Sequence, residues 1–308
     1  MTTLLRRATH WNRPLMVFVC AMAVLAVVAA VGILVDSRVL TGAPIWLKPF
    51  KFSVSFVLYG ATLAWMLSLL PRRSRAAEWA VTVIVAMSVI EMMVIVGQVV
   101  RGQTSHFNGT SALNSALFTV MGAAIMVLFV AHLVIGIVVL IRRIPDRAAS
   151  TAVGWGLGLS LLGMLAAVPM VLPMQEPGID GVSGAHSVGV TDGGPGLPVV
   201  GWSTTGGDLR IGHFVGLHAL QALPILAILL SRFATRLDQR TRVRLLVVAG
   251  SAYGVLTMLL TWQALRGQPL LRPDAGTLVA VAALLVATAT ASGLVLARRR
   301  RTELALAA

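Results

Sequence analysis

Apolar residues in this chain come in long unbroken blocks rather than in the alternation of a half-buried strand. Each block is closed by a cluster of arginine, glycine or proline. A run of about 20 apolar residues crosses a hydrocarbon core of about 30 Å as α-helix. Continuous rather than alternating polarity selects helices over a β-barrel, the other fold that satisfies its backbone inside a bilayer. The blocks predict eight transmembrane helices near 15–35, 52–71, 79–100, 116–141, 152–173, 212–231, 244–265 and 276–297. The expected fold is an all-α integral membrane bundle, a single polytopic domain over 1–308. The first block follows Arg13-Pro14 and has no small-residue cleavage pattern, so it reads as a retained helix, not a signal peptide.

The breaks between blocks carry the orientation. Arg6, Arg7, Arg13, Arg72, Arg73, Arg75, Arg142, Arg143, Arg147, Arg232, Arg236, Arg240, Arg242, Arg244 and Arg298 to Arg301 fall on one side, 18 of the 25 basic residues. The other side holds seven: Arg38, Lys48, Lys51, Arg101, Arg210, Arg266 and Arg272. Basic residues accumulate on the cytoplasmic side, which puts both termini in the cytoplasm. A ninth span, or a missed one, would scramble this division. Trp46, Trp202 and Trp262 at the outer ends, with Trp11, Trp79 and Trp155 at the inner ones, read as interfacial belts.

One connection differs from the rest. The stretch 173–211 holds ten glycines between Gly178 and Gly207, a composition that cannot form a span. Glu176 to Gly196 reads as mobile; Gly201-Trp-Ser-Thr-Thr-Gly-Gly-Asp-Leu-Arg, with its aromatic ring and charge pair, reads as ordered.

Composition narrows the class. The net charge of +14 would suggest nucleic acid, but most of it sits in short breaks between apolar blocks, where it sets membrane orientation. Cys20 is the only cysteine, which excludes an internal disulfide and a cysteine-based metal site. Twenty-three arginines and two lysines give the composition a bacterial look, and the bacterial cytoplasmic (inner) membrane is the expected location.

Laying the halves together brings out a repeat. The third block ends in Gln98-Val-Val-Arg101-Gly102-Gln103 and the seventh in Gln263-Ala-Leu-Arg266-Gly267-Gln268. The second block is entered through Lys48-Pro-Phe-Lys51-Phe52 and the sixth through Arg210-Ile-Gly-His213-Phe214. An offset of four spans keeps orientation, so these matches predict a 4+4 parallel internal repeat.

The repeated segments also hold the candidate chemistry. In a chain that otherwise uses arginine, Lys48 and Lys51 supply compact ammonium charges or an amine able to deprotonate; reaching out to lipid headgroups is the competing account. Arg101, Arg210 and Arg266 share their side and could grip a carboxylate or phosphate as forks, unless Asp208 or lipid already occupies them. His106, His213 and His218 raise a haem or metal alternative. His132 lies too deep to share an iron with His218, and residues five apart such as His213 and His218 point about 140° apart on a helix. Glu91 is the only acid in the middle of a span; it must be protonated or paired, and with Gln98 and Gln263 it is a candidate for proton coupling.

No Walker loop, dinucleotide fingerprint or HExxH occurs, and no nucleophile–base set stands out, so no catalytic residue is assigned. The expected site is an outward-opening pocket lined by Lys48, Lys51, Arg101, His106, Asp208, Arg210, His213, His218 and Arg266. It binds or transports a small anionic or amphiphilic ligand. A haem- or metal-binding redox protein or enzyme, and a receptor or assembly factor acting through the glycine-rich loop, are the alternatives.

Overall fold

The computed structural model describes residues 11–172 and 181–307; Arg6, Arg7, Glu176 and Gly178 lie outside it. The described residues contain eight helices long and apolar enough to cross a membrane. They are α1 (Arg13–Val35), α2 (Leu47–Ser68), α3 (Arg75–Val100), α4 (Ala112–Arg142), α5 (Arg147–Leu165), α6 (Leu209–Phe233), α7 (Gln239–Leu265) and α8 (Ala275–Ala307). A 3₁₀ turn at Val168–Val171 follows α5.

Several helices start before their apolar blocks because polar caps nucleate them. Asn12, Asp146, Asp208 and Asp238 each accept a backbone N–H from the first turn of α1, α5, α6 and α7. Asp274 does the same for Thr277 at the start of α8, at 2.8 Å. Hydropathy is blind to such capped, charged first turns. α7 therefore begins at Gln239 rather than near 244; α2 begins at Leu47 rather than near 52 without a side-chain cap, its Lys48 and Lys51 lowering the hydropathy of its first turns.

The chain divides into two compact units, described separately. The first holds α1–α4 with 168–186 and 191–201; the second holds α5–α8 with 187–190 and 202–208. In the first unit α1 packs on α2 and α3 on α4, with further contacts between α2 and α3 and between α1 and α3. Its core joins Phe18 and Met22 to Met92, Ile95 and Met121, with Phe52 and Phe56 against them. The 36–46 connection is a tight hairpin. β1 (Val39–Leu40) pairs antiparallel with β2 (Ala43–Pro44) across Thr41 and Gly42, both at positive φ, as a two-residue turn matched to strand twist requires. Trp46 then folds back: its indole N–H donates to Asp36 at 2.9 Å and its ring lies against Gly32, tying α2 to α1.

In the second unit α5 packs on α6 and α7 on α8, with α6 against α7 and α5 against α7. Gly163 of α5 and Gly216 of α6 meet backbone to backbone, so a β-carbon at either would collide with the other helix. Trp155 packs on Gly250 in this unit as Trp46 packs on Gly32 in the first, so both rings make helix contacts. A short pair, β3 (Ser187–Val188) with β4 (Gly207–Asp208), leads into α6.

Candidate functional site

The buried face of α3 runs through Ile84, Ser88, Glu91, Ile95 and Gln98, three or four residues apart as one helical stripe demands. This phase carries Glu91 into the core, where it is 1% exposed. Nine residues separate it from Val100, so it lies about 14 Å from that helix end.

What meets Glu91 depends on how α3 ends. Gly102 takes a φ of +67°, and the Gly102 and Gln103 N–H groups donate back to the carbonyls of Val99 (3.1 Å) and Gln98 (2.9 Å). This is a Schellman closure. The Gln98 side chain then donates to the Thr104 carbonyl and to Asn114 Oδ1, both at 3.1 Å. Arg101 donates to Gln98 Oε1 (2.5 Å) and to Asn114 Oδ1 (2.9 Å), bridging the end of α3 to the start of α4. Asn108 and Thr110 complete the corner through Asn108–Thr104 and Thr110–Asn108 bonds. The connection is thereby folded inward with Ser105-His106-Phe107 on its inner side, and Phe107 is held at a φ of +57°, uncommon for a side chain of its size.

His106 Nε2 stands 3.7 Å from Glu91 Oε1, and its Nδ1 shares a 3.0 Å hydrogen bond with Ser105 Oγ. The Nδ1 is thus hydrogen-bonded, while Nε2 faces the carboxyl group at more than hydrogen-bond distance. Phe52, Phe107 and Phe118 surround the ring at centroid distances of 5.7, 6.1 and 6.3 Å. Burial holds the imidazole well below its ordinary pKa, and the charges of Lys48 and His186 act in the same direction. Glu91 Oε2 is buried without a hydrogen-bond partner, as are the hydroxyls of Ser53 and Ser88.

The glycine-rich connection covers this end of the unit. Gly109 N–H donates to Gly181 O at 2.6 Å, Ser183 N–H to Phe107 O at 3.0 Å and Ala185 N–H to Met170 O at 3.1 Å. The His186 ring sits 4.9 Å from that of Phe107, and its Nδ1 is 2.7 Å from Asp192 Oδ2. Further on, Lys51 Nζ donates to Val200 O at 3.2 Å. From 181 onward the segment expected to be mobile is anchored by backbone bonds.

Another buried polar pair escaped the sequence reading. His132 of α4 is fully buried and its Nδ1 bonds to Tyr59 OH of α2 at 2.9 Å, with the rings stacked at 5.8 Å. A tyrosine in mid-helix among apolar residues was the available signal, since its hydroxyl needs a partner when buried.

The second unit places the remaining candidates differently. Asp208 is buried at the start of α6, and Arg210 grips both its oxygens, Nε to Oδ1 at 2.9 Å and Nη2 to Oδ2 at 2.5 Å. The Ser203 N–H adds a third donor at 2.8 Å. His213 Nδ1 lies 2.7 Å from the Gly163 carbonyl, so that nitrogen carries the proton. His218 Nδ1 pairs with Gln221 at 3.3 Å. Gln263 repeats the Gln98 corner: its amide donates to the Pro269 carbonyl at 2.8 Å, and Gly267 has a φ of +71°. Arg266 bonds Asp274 at 2.6 Å and lies 4.5 Å over the Trp262 ring. Among the described residues no group of three or more His, Cys, Asp or Glu could hold a metal ion.

The chain matches no protein-family model, no curated protein and no solved structure.

Proposed function

We propose that the chain is a multi-pass protein of a bacterial cytoplasmic membrane with both termini in the cytoplasm. Its α1–α4 unit takes a small anionic or amphiphilic ligand at the Lys48–His106 end and couples that event to a proton on Glu91. One observation carries this reading: a carboxyl group 1% exposed, with one oxygen unpartnered and the other 3.7 Å from an imidazole. A carboxylate there is costly unless a cation or a proton accompanies it. Lys48 is close enough for its charge to act on both Glu91 and His106. A ligand anion drawn to that ammonium competes with Glu91 for it, and Glu91 takes up a proton in response. Neutral His106 is able to hand that proton on. Arg210 and Arg266 each hold a carboxylate, Asp208 and Asp274.

We read the two units as parallel repeats. In support, each pairs its first helix with its second, its third with its fourth, its second with its third and its first with its third. Each also closes its third helix with the same Gln-x-x-Arg-Gly-Gln corner. The uneven division of basic residues supports the orientation.

Proteoliposomes loaded with a pH-sensitive dye and challenged with a panel of small carboxylates and phosphate esters test the proposal. At least one compound is expected to change internal pH with wild-type protein and not with Glu91→Gln. A variant as active as wild type, or a wild type indifferent to the whole panel, overturns it. An oxidised and reduced absorption spectrum of the purified protein tests the haem alternative, which a Soret band would favour.

A further inference from the structure

The turn between α6 and α7 carries more arginine than the two other turns on its side. Arg232, Arg236, Arg240, Arg242 and Arg244 fall within thirteen residues, with Asp238 as the only acid among them. The turns of the same parity at 69–74 and 143–146 are flanked by three arginines each, beside Glu78 and Asp146. Arg299 of α8 is also near enough for its charge to act on Asp238. That carboxylate is committed as the cap of α7, accepting the Thr241 N–H at 3.2 Å. Among the described residues no carboxylate pairs with Arg232, Arg236, Arg240 or Arg244.

Two features show what the cluster fits. Arg236, Arg240 and Arg244 are exposed and spaced four apart, with Arg240 and Arg244 one turn apart on α7. Close to them in sequence on α6 and α7 stand exposed apolar side chains: Phe233 at 75%, Leu229 one turn before it at 45%, and Val247, three residues after Arg244, at 41%. A partner that meets both surfaces carries phosphate at one end and hydrocarbon at the other.

We infer that the α6–α7 turn is a binding site for an anionic diacyl phospholipid. Its phosphate lies among Arg236, Arg240 and Arg244, and its chains run along Leu229, Phe233 and Val247. Guanidinium groups suit phosphate because they present paired donors, and basic clusters beside a spanning helix gain affinity with each arginine. The inference rests on the membrane reading and on nothing proposed for the Glu91 site.

Native mass spectrometry of the whole protein from mixed micelles of phosphatidylglycerol and phosphatidylcholine tests it. Wild type is expected to retain phosphatidylglycerol preferentially, and Arg236→Gln/Arg240→Gln/Arg244→Gln to lose that preference at least tenfold. The corresponding triple lysine variant, which keeps the charge, should retain part of it. Arg72→Gln/Arg73→Gln, on the first unit, should bind like wild type. Equal retention by the triple glutamine variant and wild type, at unchanged melting temperature, overturns the inference. So does displacement of the lipid by millimolar inorganic phosphate, which would make this a site for the free anion. If the glutamine variant does not fold, the lysine variant and the salt dependence of wild-type retention decide: preference unchanged in high salt refutes a phosphate contact.

Discussion

The corner joining α3 to α4 and the corner joining α7 to α8 are built alike, yet the helices they terminate carry different interiors. In both, a glutamine amide donates to the carbonyl six residues on, a glycine at positive φ turns the chain, and an arginine reaches the start of the next helix. Seven residues before that glutamine stands Glu91 in the first unit and Leu256 in the second. Eight residues after it stands His106 in one and Leu271, 69% exposed, in the other. The corner is thus common to both units, and the buried Glu91 beside His106 belongs to one. A shared corner is therefore weak evidence for a shared activity, and the candidate chemistry resides in α1–α4.

The most severe way to break the comparison is to move the acid. Leu256→Glu places a carboxyl group in mid-helix where no imidazole stands at the His106 offset. It should cost about 3 kcal/mol, read as a loss of resistance to sodium dodecyl sulfate unfolding. Glu91→Leu removes a group with an unpartnered oxygen, and is expected to leave stability within about 1 kcal/mol of wild type while ending any proton response.

Helix contacts supply the next contrast. A β-carbon on Gly163 meets the Gly216 and Leu217 backbone, whereas one on Gly60 of α2 meets a Val19 methyl that can turn aside. Gly163→Ala should cost about 2 kcal/mol and Gly60→Ala less, by thermal melting in detergent. Gly136→Ala faces open space and should be neutral or slightly stabilising.

Acidification separates the units again. His106 has a folded pKa below its unfolded value, so the unfolded chain binds the extra proton first. Its contribution is complete above about pH 6.5 and falls away as pH drops toward the folded value. The melting temperature of wild type should therefore decline below about pH 6.5, and His106→Gln should flatten that part of the curve.

The smallest effect lies in the corners themselves. Arg266 binds a carboxylate that Thr277 and Arg266 hold below its ordinary range, while Arg101 binds neutral Asn114. The Asp274 contribution is present above about pH 3.9 and is lost as pH falls further. Asp274→Asn should remove part of the acid limb below that point, with no change near neutrality beyond a slight, salt-sensitive destabilisation. Asn114→Ala should show no such pH signature.

Much of the fold was legible because bilayer-spanning helices declare themselves by length and apolar continuity. Their starts were not, since Asp238 and Gln239 at α7, or Trp46 and Leu47-Lys48 at α2, look like loop to a hydropathy window but cap or form a first turn. Glu91 and His106 were each singled out from sequence, but their approach depends on the 101–111 connection folding inward, which no periodicity reveals. His186 was passed over because its placement comes from backbone bonds between 107–109 and 181–183, two segments far apart in the chain. The Gln-x-x-Arg-Gly-Gln pattern was visible, and its arginines looked like ligand forks. Their partners, Asn114 and Asp274, lie just beyond the motif, so the arginines join helices.

The closed corner bears on how such a chain is made. Between Gln98 and Asn114 the polar groups freed by the end of α3 find acceptors and donors within seventeen residues of continuous sequence. A hairpin that closes the end of its first helix from its own sequence can enter the lipid with that helix end already satisfied, leaving only the Phe107 carbonyl and the Gly109 N–H to wait for the later 181–183 segment.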